Sequence, residues 1–265
     1  MINKNLKNII KFEIIDHIKS KWFFIYSFII FIFTFVIVYF STGKPSEIIA
    51  TITNFFLLVL PLFSMLFGII NFYESLSFQN LLMIRGISRK EVFLGKYLGI
   101  LFSLILSFII GILPIFLFYN KITNIIYIIN ILLIYSILLH AVFLSISFFI
   151  SQIPIRLEIH VGIAILYWFI FYILYDSLIF FIVLGFGDYP IEPIILLLVI
   201  INPIDLIRTI LLLHGDLSAI MTYSSALYSK ELGNMTGIIL GILILIIWTI
   251  TFYFYSFRKF NKKDL

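Results

Sequence analysis

Six apolar runs, each long enough to cross a bilayer or nearly so, leave this chain few ways to fold. They fall at about 22–40, 55–72, 97–119, 125–150, 162–186 and 235–257, against the roughly 20 residues a helix needs to traverse a hydrocarbon core about 30 Å thick. No water is available there to satisfy a backbone amide, so a segment of this length enters as a helix. Composition agrees. The chain is 63% hydrophobic and 12% charged with mean hydropathy +1.19, whereas soluble domains are about half apolar and about a quarter charged. The predicted fold is an all-α integral membrane protein.

The run at 22–40 exceeds the roughly 7 to 15 residues of a secretory signal core, and no small-x-small cleavage site follows it. It therefore reads as a retained span. Before it, Leu6, Ile10, Ile14 and Ile18 stand four apart while Lys4, Lys7 and Lys11 occupy another face, which predicts an amphipathic helix lying in the headgroup region. Pro61 predicts a kink in the second span. The expected organisation is one domain over 1–265, comprising an interfacial helix at 1–21, a six-span bundle at 22–257 and a basic tail at 258–265.

The run at 194–213 is apolar but broken at its centre by Asn202, Pro203, Asp205 and Arg208. Charge decides its topology. Six crossings put Lys4, Lys7, Lys11, Lys19 and Lys21, then Arg85, Arg89, Lys90 and Lys96, then Arg156, then Arg258, Lys259, Lys262 and Lys263 on one side. These are fourteen of eighteen basic residues, and the positive-inside rule makes that side cytoplasmic. A seventh crossing would move the basic tail outside and draw Asp205 and Arg208 toward the membrane centre, at about 2.5 to 3.5 kcal/mol each. The segment is therefore read as an outer re-entrant or surface hairpin turning at Asn202-Pro203. Both termini are expected in the cytoplasm of a prokaryote, with the chain in its inner membrane.

Between the second and third spans, residues 72–99 are both amphipathic and basic. Glu74 closes one run, Leu76, Leu81, Leu82 and Ile84 recur at roughly helical spacing, and Arg85, Gly86, Ser88, Arg89 and Lys90 make a basic turn. Two readings are open on these residues alone, a cytoplasmic helix offering its apolar side to a partner and an ordinary charged loop.

Glu74, Leu81-Leu82, Ser88-Arg89 and Gly95-Lys96 together resemble the coupling helix of ABC-2 type exporter permeases, which plugs into a cleft of a cytoplasmic ABC ATPase. Many members carry Pro before the Ser-Arg pair, where this chain turns at Gly86. The resemblance implies that Glu74, Leu81, Leu82, Arg85, Ser88 and Arg89 form the coupling element, with Leu81 and Leu82 in the ATPase groove and Arg85 and Arg89 at its rim. It also implies that ATP and Mg are held by that partner and that this chain carries no cofactor. A second set, Trp168, Tyr175-Asp176, Asn202-Pro203-Ile204-Asp205 with Arg208, and Gly215-Asp216-Leu217-Ser218-Ala219, is similar to the NosY-type permeases of the nitrous-oxide reductase maturation system. That likeness implies a homodimer, a NosF-like ATPase and a NosD-like periplasmic partner.

Catalytic patterns are missing. There is no Gly-x-x-x-x-Gly-Lys-Ser/Thr loop for ATP, no HExxH pair and no Gly-x-Ser-x-Gly elbow, and His17, His140, His160 and His214 fall on separate elements. With no cysteine, disulfides and thiolate metal sites are excluded. Copper as cargo finds little support, since Cu(I) prefers soft sulfur ligands and Met1, Met65, Met83, Met221 and Met235 form no close pair. A sulfur-containing species, or energised work on the periplasmic partner, suits the residues at least as well. No residue is assigned to catalysis or to a metal.

Asp176 lies inside the fifth run, where a carboxylate either serves the bundle interior and cargo route or rests neutral and hydrogen-bonded to a tyrosine across a dimer. Asp205 and Arg208, three apart, either cap the hairpin as a local ion pair or meet a periplasmic partner. The reading from the sequence is an ABC permease subunit. Its alternative is an ATP-independent polytopic assembly factor or membrane hydrolase.

Overall fold

A computed structural model describes residues 4–40, 45–117, 125–213 and 223–262. The turn at 120–124, Lys44, His214, the motif at 215–219, Met221 and Lys263 lie outside them. Among the described residues every regular element is helical. In chain order these are α1 (Lys4–Ile18), α2 (Lys21–Phe40), α3 (Pro45–Glu74), α4 (Leu76–Ile84), α5 (Arg89–Gly111), α6 (Pro114–Leu117), α7 (Ile125–Ile150), α8 (Leu157–Phe169), a π turn (Ile170–Leu174), α9 (Tyr175–Phe186), α10 (Glu192–Ile201), α11 (Pro203–Leu213), α12 (Tyr223–Leu232) and α13 (Asn234–Asn261). Six stretches are long and apolar enough to span: α2, most of α3, α5, most of α7, the continuous α8–π turn–α9, and α13.

The second span starts at Ala50 rather than 55, and the third and fifth differ from the sequence reading for local reasons. The third span runs from Arg89 to Gly111 rather than over 97–119. Ser88 starts it with a capping box, its hydroxyl accepting from the Glu91 amide while Glu91 reaches back to the Ser88 N–H, and Pro114 begins a separate short helix beyond its end. The fifth starts at Leu157, five residues early, because its first turn follows directly on the extended Arg156. α3 continues through Pro61 without ending there, and α12 was not foreseen.

The core is built by α3, α5, α7 and α11, with Phe56, Phe72, Phe93, Phe108, Phe143 and Phe148 buried in one cluster with Ile204, Ile207 and Ile210. Small residues bring the backbones together, as they do where lipid offers no hydrophobic drive to helix association. A Cβ on Gly68 of α3 would sit 2.1 Å from the Ser147 hydroxyl of α7. Buried serines satisfy themselves on their own helices, Ser64 donating to the Leu60 carbonyl (2.6 Å) and Ser151 to that of Ser147 (2.8 Å). Others cross-link: Ser107 donates to the Phe23 carbonyl at 2.9 Å, and the Tyr97 hydroxyl to that of Ala141 at 2.9 Å. The exterior is uneven. Only 11% of the fifth span and 17% of the last are buried, against 72% of the fourth, so those two lie at the periphery.

α10 and α11 meet at 105°, as the broken run predicts. Asn202 leaves helical geometry at φ −97°, ψ 107°, and Pro203, which has no N–H to continue the ladder, opens α11. All eleven residues of α11 are buried against the bundle, and the bent pair is long and apolar enough to be a re-entrant hairpin or a broken span.

Candidate functional site

At one end of the bundle the short helix α4 packs against α3 and α5. Ser75 alone separates it from α3, and its hydroxyl donates to the Asn71 carbonyl at 2.7 Å. Gln79, buried in α4, donates to the Phe72 carbonyl at 3.2 Å and to the Ser75 hydroxyl at 2.9 Å, which satisfies an open carbonyl at the end of α3. Phe78 stacks on Phe12 of α1 with ring centres 4.7 Å apart. The far end closes with paired bonds, Ile87 N–H to the Leu82 carbonyl (3.2 Å) and Gly86 N–H to that of Met83 (3.0 Å). Gly86 takes φ +84°, the left-handed geometry this closure requires.

This geometry sorts the six residues expected in the coupling element. Leu81 is exposed and Leu82 partly so, while Leu76 and Met83 of the same helix pack against the core. The exposed apolar edge is instead Leu81 with Ile84, one helical turn apart and 45% and 77% accessible. Arg85 stands free of the surface beside them. Ser88 caps α5, and Arg89 donates to the Asn261 carbonyl at 2.7 Å, tying the end of α13 to the start of α5. Glu74 lies apart from that edge, at a cavity of about 240 Å³ shared with Glu13, Asp16, His17 and Lys96.

That cavity holds a cluster the sequence reading missed. The stripe of α1 that faces the bundle is not Leu6, Ile10, Ile14 and Ile18 but Ile9, Glu13 and His17. Lys96 of α5, 2% exposed, donates to Glu13 at 3.0 Å, and His17 approaches the same carboxylate at 3.2 Å. Gly95 and Gly99 flatten α5 against them, for a Cβ on Gly99 would lie 2.4 Å from that of Glu13. Burial pushes the Glu13 carboxyl up, but His17 and the Lys96 ammonium together outweigh it and hold the group below its ordinary range. The sequence offers Glu13 and His17 at a four-residue interval and, separately, a lysine between Gly95 and Gly99, with nothing that links the two.

At the other end, residues scattered over forty positions of sequence come together. Arg208 of α11 donates through Nη1 to both oxygens of Asp176, each at 2.8 Å, and has Asp205 at 3.5 Å behind it. Asn202 caps α11 by accepting from the Ile204 amide at 3.0 Å and donates to the Phe171 carbonyl at 2.8 Å. Phe171 sits in the π turn, where the altered ladder leaves such a carbonyl available. Tyr175 donates to the Leu198 carbonyl at 2.7 Å, and Trp168 to that of Leu58 at 2.9 Å. Pro203 sets the bend that aims Asp205 and Arg208 inward.

The other histidines serve the packing. His140 donates from Nδ1 to the Ser136 carbonyl at 2.5 Å, which leaves Nε2 to accept the Tyr26 hydroxyl at 2.7 Å. His160 turns its two nitrogens to the carbonyls of Arg156 and Ile153. Among the described residues no group of His, Asp or Glu is arranged to hold a metal.

A multi-pass bundle with a short clamped helix between its second and third spans is the architecture of a transporter's membrane subunit. The sequence matches the ABC-2 family transporter protein family over residues 46–265, and the chain belongs to that family. It is a permease component, and ABC-2 permeases pair with ABC ATPases. No curated protein shows a significant match to the sequence.

Proposed function

We propose that α4 is the element through which a cytoplasmic ABC ATPase moves the spans. The observation that carries this is the exposed pair Leu81 and Ile84 on a helix otherwise fixed to α1, α3 and α5, so that force on the edge reaches the bundle without being absorbed locally. Burying two such side chains in a groove supplies about 1.5 to 3 kcal/mol each, and Arg85 at the rim orients the encounter. In this reading the α4 end, both termini and the basic clusters are cytoplasmic, which the placement of fourteen of eighteen basic residues supports. The test is co-purification of the ATPase from cells expressing both chains. Wild type retains it, Leu81→Ala with Ile84→Ala releases it while the permease still inserts, and retention at the wild-type level by the double variant would contradict the proposal.

Within that class the finer reading is a NosY-type homodimeric permease that works with a NosF-like ATPase on a NosD-like periplasmic partner in nitrous-oxide reductase maturation. It is supported by the motif residues Trp168, Tyr175, Asp176, Asn202, Asp205 and Arg208 lying in one neighbourhood, and the dimer by the largely uncovered fifth and last spans. Conformational work on the partner, or export of a sulfur species, fits the cysteine-free chain better than copper does. Co-purification of a NosD-like protein under ATP supports this reading, and its absence from a complex that retains the ATPase counts against it.

A further inference from the structure

A cavity of about 440 Å³ opens beside the outer cluster, between α3, the π turn, α9 and α11, within the size range of small-molecule sites. Ala50, Thr53, Asn54, Tyr172, Asp176 and Arg208 line it. Its depth follows from the helix: Asp176 is nineteen residues beyond Leu157, about 28 Å along the axis at 1.5 Å per residue. That is close to the full thickness of a hydrocarbon core, and the tie of Tyr172 to the Asn54 carbonyl at 3.4 Å puts the cavity level with the first turns of the second span. It therefore lies far from α4 along the fifth span, which continues beyond Asp176 to Phe186 as an apolar helix.

The walls select a charge. Arg208 is one cation held between two carboxylates, with Asp205 1% exposed behind it and the Asp176 side chain 49% exposed in front. Arg208 donates to both oxygens of Asp176 and lies 3.5 Å from Asp205, so two carboxylates share one cation, and of the two it is Asp176 that is exposed to the cavity. An anion entering would meet that carboxylate first. Beside it the Tyr172 ring, stacked on Trp168 with centres 5.8 Å apart, offers an aromatic surface of the kind ammonium groups favour. Thr53, 1% exposed, also borders the space, and its buried hydroxyl has no hydrogen-bond partner. Next to the cavity the fifth span leaves Ile173, Phe180 and Phe181 exposed, a surface for a hydrocarbon tail.

We propose that this cavity binds the ammonium head of a cationic amphiphile, with the nitrogen at Asp176 and Tyr172 and the tail along the fifth span. Two sources share that chemistry, the ethanolamine headgroup of a resident phospholipid and a soluble amphiphile in transit. Transit rests on the permease reading. Binding does not, so the test below uses no ATPase and its failure is distinct from a failure of coupling.

The full chain is placed in phosphatidylglycerol nanodiscs and titrated with octyltrimethylammonium by calorimetry, with empty discs as blank. Saturable one-to-one binding is expected, and octyl sulfate is expected to give none. Asp176→Asn should weaken it about tenfold or more by removing the charge. Ala50→Leu, which adds bulk inside the cavity and leaves the ion pair whole, should do the same, and it decides the matter if the first variant does not purify. Binding absent above the blank, equal binding of octyl sulfate, or wild-type affinity in either purified variant would overturn the proposal. Repeating the titration with phosphatidylethanolamine in the discs separates the sources: competition assigns the resident lipid, unchanged affinity the molecule in transit, and both outcomes uphold the ammonium site.

Discussion

Arg208 donates to both carboxylate oxygens of Asp176 at 2.8 Å across thirty-two positions of sequence, joining the bent α10–α11 pair to the fifth span. The two partners are unequal, since the Arg208 side chain is 10% exposed and that of Asp176 is 49%. Removing Arg208 leaves the buried Asp205 without its counter-charge, a loss of about 3 to 5 kcal/mol for buried pairs. Arg208→Leu should therefore lower the thermal midpoint of the detergent-solubilised protein sharply. Asp176→Asn keeps the guanidinium beside Asp205 and exchanges a partly solvated contact, so a change of at most about 1 kcal/mol is expected. Equal destabilisation by the two would contradict the greater weight given to the counter-charge of Asp205 and place it on the Arg208–Asp176 contact instead.

The docking of α1 should depend on the flat face of α5. Gly99→Val would place its first carbon 2.4 Å from the Glu13 Cβ, so the helices must part. Limited proteolysis should then cut near Lys7 and Lys11 at rates well above wild type. Unchanged protection would mean that α1 is held by lipid rather than by α5.

Acid should act on the same contact. The folded-state value of Glu13 is depressed below its ordinary 4.5, so its contribution is present in full above about pH 4.5 and disappears as pH falls through the lower folded value. Protease protection of α1, measured with an acid-active protease, should hold down to pH 4.5 and fall below it. In Glu13→Gln that acid step should be missing. A step of the same size in the variant would place its origin elsewhere.

Sidedness is open to direct measurement because the sequence has no cysteine. In intact cells a membrane-impermeant maleimide should modify Tyr189→Cys, exposed between α9 and α10, and spare Ile84→Cys until the membrane is broken. The opposite pattern would invert the topology.

Much of the fold was legible because the bilayer demands it. Length and hydropathy located six spans, and Asn202-Pro203 located the bend, since a proline with no N–H cannot continue a helix buried in apolar surroundings. Span ends were harder to read. Arg89 and Lys90 look like loop residues by charge, yet the Ser88 capping box makes them the first turn of a helix. On α4 the sequence placed Leu81 and Leu82 on the apolar side, and the exposure of Leu81 and Ile84, 45% and 77%, depends on how the helix is seated against α1, α3 and α5, which spacing alone does not give. The pairing of Lys96 with Glu13 could not be read, because it links positions eighty-three apart and a lysine near a span end usually extends to the interface instead.

The coupling role of α4 is tested most directly by cross-linking from its exposed edge. Ile84→Cys, the single cysteine in the chain, is treated with a short bifunctional maleimide in the purified complex with an ATPase carrying cysteines around its membrane-facing groove. A permease–ATPase adduct is expected from Ile84→Cys, diminished when nucleotide binding changes the groove, with none from Tyr189→Cys at the other end of the bundle. An intact complex that yields no adduct at Ile84, whatever its nucleotide state, would contradict the coupling role.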